Sequence, residues 1–238
     1  MTAADLLRAA GQALACVLVV LTFLAARRLS AHLGNPPWAS PVLVAALAVG
    51  GLLWAAGVPL GQFRAATAPL GWALGPALVG LGAVIWRGRA LIAAQPGPLF
   101  VAVAGGTSVG VLSAVGLARA LGLGPLLTAG LATKTLTTPF AVAIAEHSGG
   151  PVPLAAALAV LTGVIGAVIV PPLLRLARFK GSAVSGVAIG QAAHLVGTDW
   201  LTRRDARAAA WSSVTIVLAG ILASLALPPL WRWVVLGG

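Results

Sequence analysis

Apolar runs long enough to span lipid follow one another along almost the whole chain. They lie near 9–26, 41–57, 66–86, 97–118, 124–145, 153–174, 182–200 and 209–230, joined by short basic or Pro/Gly-rich connectors. A helix needs about 20 apolar residues to cross a hydrocarbon core about 30 Å thick. Backbone N–H and C=O groups in lipid must be satisfied within the protein, so only helices or closed barrels cross it. A barrel strand would alternate polar and apolar residues over about ten positions, whereas these runs are continuous. The sequence therefore predicts an all-α, polytopic transmembrane helical bundle of about eight membrane segments. It predicts a single domain over 1–238, multi-pass in the cell membrane.

Charge agrees. Only 8% of residues are charged and 60% are hydrophobic, whereas a soluble domain carries about 25% charged residues. The net charge of +11 would suit nucleic acid if the cations formed a patch. They are instead dispersed: Arg27 with Arg28, Arg87 with Arg89, Arg175 with Arg178 and Lys180, Arg203 and Arg204 with Arg207. That spacing fits headgroups and topology signals, and no nucleic-acid partner is expected. Cys16 is alone, and His32, His147 and His194 are far apart, so no disulfide framework, zinc site or cofactor is expected. No GxxxxGK[ST] loop, HExxH motif or paired carboxylate set points to an ATP-driven pump or an enzyme. The N-terminal run reads as a retained first span, because Arg27–Arg28 stand where small cleavage-site residues would be. Trp231 and Trp233 beside Arg232 read as an interfacial anchor.

Three runs are interrupted, and two or three segments are expected to be broken or re-entrant. Gly75–Pro76 breaks 66–86 and Thr138–Pro139 breaks 124–145; the run 182–200 carries Gln191 and His194 and ends at Asp199. Gly or Thr suits a helix N-cap, and Pro suits the first helical position. Each Pro can start a half-helix inside its segment. Paired broken segments in a transporter mark a midplane site, with Gly75 and Pro76 as the opposing half. If 182–200 is a hairpin, the connectors 175–180 and 203–207 share a side, which favours a cytoplasmic N-terminus.

Lys134 is the least explained residue. It sits centrally in its segment among Thr133, Thr135, Thr137 and Thr138. A cation there costs about 2.5–3.5 kcal/mol on insertion scales, so compensation is required. Three readings stand: an offset segment that puts Lys134 at the interface, an ion pair with Glu146 or Asp199, or an anion site. The third joins the ammonium to hydroxyl donors and to a half-helix start carrying about +0.5 charge. Its guest would be a small anion with hydroxyl or carbonyl oxygens, held by its carboxylate. His194 is either a hydrogen-bonded structural residue or a proton carrier, its ordinary pKa of about 6.5 suiting the second role. Thr198 lies one turn on, face to face with it. Glu146 and His147 read as a solvated loop. The GxxxG pairs Gly71–Gly75, Gly106–Gly110 and Gly186–Gly190 read as close helix packing.

Four stretches resemble one family. Residues 133–139, TKTLTTP, resemble the PKSVTTP motif of the LrgB/CidB bacterial membrane proteins, and 149–171, GGPVPLAAALAVLTGVIGAVIVP, resemble their GGxPxLTAxFVxxTGxxGAxxGP. Residues 186–198, GVAIGQAAHLVGT, resemble GLAxGTAAHAIGT, and 74–87 resemble LGPATVALAVPLYR. The similarity runs from about residue 36 to the C-terminus. Thr133 replaces the family's Pro, Gln191 replaces Thr or Ser, Asp199–Trp200 replace small residues, and Trp86 replaces Tyr. The resemblance carries over Lys134, Thr137, Thr138, Pro139, His194, Gly197 and Thr198. It implies two roles. One is antiholin-like modulation of murein hydrolase export with a small LrgA-type membrane partner. The other is carboxylate transport, as in the plant plastid glycolate/glycerate translocator and in members associated with pyruvate uptake. A homo-oligomer is left open.

Overall fold

A computed structural model describes residues 3–236. Among them every regular element is helical. The helices are α1 (Ala3–His32), α2 (Pro41–Ala55), α3 (Leu60–Ala66), α4 (Ala68–Trp72), α5 (Leu74–Ala94), α6 (Pro96–Ala120), α7 (Pro125–Ala132), α8 (Thr138–His147), α9 (Val152–Leu176), α10 (Ser182–Thr202) and α11 (Ala206–Leu236).

Among the described residues, five stretches are long and apolar enough to cross a membrane: Arg8–His32, Ala68–Ala94, Pro96–Ala120, Val152–Leu176 and Ala206–Trp233. The other three apolar runs do not give long straight helices. The run at 41–57 gives α2 of 15 residues, about 22 Å at 1.5 Å per residue. The run at 124–145 is divided into α7 and α8, and the run at 182–200 is kinked.

The residues form two compact units, one up to Val79 and one from Gly80 onward. In the first, α1 packs on α2, α3 and α4, and the Cys16 thiol points to the Ala66 carbonyl at 4.0 Å. The break in the 66–86 run falls at Ala73, so Gly75 and Pro76 lie in the first turn of α5 rather than at its cap. Proline is tolerated there because first-turn N–H groups have no intrahelical partner.

The second unit is held by small residues at helix crossings. Ala167 of α9, Ile189 and Ala193 of α10, and Ala208 and Ala209 of α11 form one buried cluster. Leu99 and Val103 of α6 form another with Trp211 and Val214 of α11, with Leu91 and Ile92 of α5 against it. Lipid does not drive helices together as water does, so close backbone packing must supply the attraction. A Cβ on Gly166 would lie 1.9 Å from the Ala192 carbonyl oxygen, and one on Gly186 would lie 2.3 Å from that of Ala208. Of the three GxxxG pairs, Gly186–Gly190 makes such backbone approaches, Gly106–Gly110 meets the Gln191 and Thr135 side chains, and Gly71–Gly75 meets nothing within 4 Å.

The run 182–202 is not a rod. A straight helix of 21 residues would be about 31 Å long. Yet Ser182 Oγ, at its start, donates to Asp205 Oδ2, beyond its end, at 2.8 Å. Thr198 Oγ1 lies 2.6 Å from Ser212 Oγ, and a Cβ on Gly190 would lie 2.8 Å from the Ser212 carbonyl oxygen. Both halves of α10 therefore lie beside the same residue of α11. The reversal is at His194, with φ 47° and ψ −138°. Asp205 also caps α11, its Oδ1 accepting the Ala208 N–H at 2.9 Å. These donors, the Ala208 N–H first and the Ser182 hydroxyl second, hold the Asp205 carboxyl below its usual range.

Candidate functional site

The local chemistry of 133–137 explains why the helix stops. Thr133 turns its hydroxyl back to the Gly130 carbonyl at 3.1 Å, and Thr137 adopts an extended conformation at the N-cap of α8. Hydroxyl side chains compete with helical backbone bonds in this way. Pro139 follows at the second helical position, one residue later than the sequence predicts. The Thr137 carbonyl accepts the Ala141 N–H at 3.1 Å. No side chain caps α8, so the Thr138 and Phe140 N–H groups have no intrahelical acceptor.

The break is internal. Thr133, Thr135, Leu136 and Thr137 are buried, and Lys134, Thr138 and Pro139 are partly buried. Thr135 packs on the bare face of α6: a Cβ on Gly110 would lie 2.6 Å from its Cγ2. Its hydroxyl is buried without a hydrogen-bond partner. Lys134 makes no ion pair within the described residues, and Glu146 and Asp199 are exposed. The ion-pair reading of Lys134 fails on this geometry. Glu146 and His147, expected in a loop, are exposed but form the last turn of α8.

Facing this break is the reversal of α10. His194 is 4% exposed. Backbone carbonyls of Thr135, Ala159 and Gln191 lie about its ring, and Lys134 is near enough for their charges to interact. Even so, neither Nδ1 nor Nε2 makes a hydrogen bond of good geometry. Buried polar atoms are nearly always bonded, and an exception calls for an explanation. The three carbonyls are the ring's polar neighbours. The His194 carbonyl accepts from Thr198 Oγ1 at 2.8 Å, so Ser212 supplies the proton of the 2.6 Å Thr198–Ser212 contact.

Glycines make room for the reversal. A Cβ on Gly163 would lie 3.2 Å from the Ala193 carbonyl oxygen, and one on Gly197 would lie 2.5 Å from Ile189 Cγ2. The second half of α10 begins beside Thr135 and Lys134, a few residues before α8. Both starts carry partial positive charge, and Lys134 adds a full one. The site is a cluster of donors: one ammonium, two half-helix starts, the Thr135 hydroxyl and an imidazole.

In the second unit Lys134 and Thr135 are brought to His194; Thr137, Thr138 and Pro139 form the start of α8, while Gly197 packs on Ala193 and Ile189 and Thr198 on Ser212. Gly75 and Pro76 belong to the first unit. Sequence reasoning missed Gln191's anchorage, its Nε2 donating to the Val103 carbonyl at 2.9 Å beside Thr107. It also missed Ser212 and Thr215 of α11, whose hydroxyls stand out in an otherwise apolar run. Thr215 Oγ1 is buried and unpartnered.

Known proteins place the chain. It is 28% identical to YwbG of Bacillus subtilis over 89% of this chain and 93% of that protein. It is 30% identical to YxaC of the same organism over 63% and 66%. It is 24% identical to the holin-like protein CidB of Staphylococcus aureus over 90% and 93%. No solved structure matches it. Residues 19–233 match the LrgB-like family, and the long apolar helices make the chain a multi-pass protein of the cell membrane. The chain belongs to the LrgB-like family.

Proposed function

We propose that the protein is a secondary carrier of small monocarboxylates of the glycolate, glycerate or pyruvate type. The observation behind this reading is the meeting of an unpaired Lys134 with a buried His194 whose ring nitrogens lack partners. A carboxylate would sit between the ammonium and the α8 start. The Thr135 and Thr138 hydroxyls would meet its remaining oxygens, and His194 would carry the coupled proton. Under this reading all eight apolar runs belong to the membrane, with α7–α8 and α10 as broken, re-entrant segments. Broken helices at midplane sites serve carriers in this way, their half-helix starts aimed at anionic groups.

The test is uptake of labelled glycolate and pyruvate into proteoliposomes. A charge-assisted hydrogen bond contributes about 1.5–3 kcal/mol, so Lys134→Ala should lose roughly 10- to 100-fold in apparent affinity and Lys134→Arg should lose less. Unchanged uptake by Lys134→Ala removes the site assignment.

A second reading is supported by the similarity to the holin-like CidB. In it the protein acts with a small LrgA-type membrane partner to regulate murein hydrolase export. It makes a partner-binding surface, not Lys134, the sensitive element. Autolysis rates restored equally by wild type and Lys134→Ala, with no carboxylate uptake by either, would favour this reading.

A further inference from the structure

We infer that the α7–α8 segment and the α10 segment dip into the bilayer from opposite faces, so that the site lies where two oppositely inserted hairpins meet tip to tip, with the α10 mouth in the cytoplasm.

The ruler is α11. From Ala206 to Trp233 it is one candidate span of 28 residues, about 40 Å from end to end. At its far end, the Trp233 carbonyl accepts from Arg119 Nη2 of α6 at 2.5 Å. Gly150, just past α8, lies there too: a Cβ on it would be 2.8 Å from Trp231 Cζ2. Pro125 opens α7 a few residues after α6 ends, and Gly130 packs on Leu154 and Leu158, in the first turns of α9. The start of α7 and the finish of α8 are thus both at the Trp231–Trp233 end. Between them Phe140 reaches Gly220, about 16 Å back along α11. The segment goes in and returns.

The α10 segment does the same from the other end. Ser182 is bonded to Asp205, the residue before α11 begins. Gly186 packs on Ala208 and Trp211, and Gly190 on Ser212 and Thr215. Thr198 returns to Ser212. The turn at His194 meets Thr135 and Lys134 of the opposing tip.

Charge orients the pair. Arg175, Arg178, Lys180, Arg203, Arg204 and Arg207 flank the α10 mouth, whereas Arg119 and Arg232 are the cations near the α7–α8 mouth. Short loops rich in Lys and Arg stay in the cytoplasm.

The insertion geometry holds whatever the site binds, so its failure is separate from failure of the carboxylate reading. The test starts from a Cys16→Ala background. Single cysteines replace Leu121 and His147 at one mouth, and Phe179 and Thr202 at the other, all exposed residues. A membrane-impermeant maleimide is applied to right-side-out and to inside-out vesicles. Leu121→Cys and His147→Cys should label only in right-side-out vesicles, and Phe179→Cys and Thr202→Cys only in inside-out ones. Segments that cross the membrane would place the two members of a pair on opposite faces, which overturns the hairpins. All four on one face overturns opposite insertion, and the two pairs exchanged overturns the orientation.

Discussion

His194 combines a side chain with a backbone that side chains rarely adopt. Its φ of 47° and ψ of −138° are close to the first central position of a type II′ turn, which glycine dominates. Holding a non-glycine residue in such a region costs about 1–3 kcal/mol. Comparing His194→Ala with His194→Gly isolates that strain, because both variants lose the imidazole. In an ordinary helix the Gly variant would be less stable than the Ala variant by about 0.5–1 kcal/mol. Here relief of strain opposes that term, and the Gly variant should be the more stable by about 1 kcal/mol. For a chain of this size 1 kcal/mol is about 2–4 °C in Tm. Thermal unfolding of the two purified variants in one detergent, followed by loss of the monodisperse size-exclusion peak, measures the order. An Ala variant as stable as the Gly variant, or more so, refutes the idea that the reversal stores strain.

Gly166→Ala should abolish folded yield or cost several °C, because its Cβ would lie 1.9 Å from the Ala192 carbonyl oxygen and backbone cannot rotate away as a side chain can. Gly105→Ala, with nothing within 4 Å, should be neutral or stabilising by up to about 1 kcal/mol, and the pair is compared by expression and Tm. Lys134→Met should raise the Tm of the ligand-free protein, because it removes a cation that costs about 2.5–3.5 kcal/mol in lipid. It should also abolish any Tm increase that millimolar glycolate gives the wild type. Thr198→Val should cost about 1–3 kcal/mol by stranding the buried Ser212 hydroxyl, and adding Ser212→Ala should recover part of that loss in Tm. The Asp205 carboxyl is held low in the folded state, so its contribution is present above the unfolded value of about 3.9. It fades as pH falls through the lower folded value, and Asp205→Asn should flatten the fall in Tm between pH 5 and pH 3.

Local features of this molecule were visible in its sequence, and distant ones were not. The break before α8 could be read because its causes are adjacent residues: hydroxyls that compete for backbone bonds, then Pro139. The reversal in α10 could not be located, because position 194 holds neither glycine nor proline. It is supported from elsewhere, by Gly163 and Gly166 making room for the Ala193 and Ala192 carbonyls and by Gln191 tied to α6. The expected partner of the Thr138–Pro139 break was Gly75–Pro76, chosen because both have a small or hydroxyl residue before proline. Within the second unit the contact geometry brings His194 to that break, which no proline or glycine at position 194 announced. Run length alone does not separate long spans from turned-back segments, since hydropathy registers lipid-compatible residues and is blind to whether a segment crosses or turns back.

The bond between Ser182 and Asp205 also governs how α10 can move. It fastens the start of α10 to the residue that caps α11, just past the segment's other end. A leg clamped there behaves like a reed fixed at one end: its root stays put and displacement grows toward the tip. Whatever opens a path past His194 must therefore flex the loop nearest the site, while the root travels with α11.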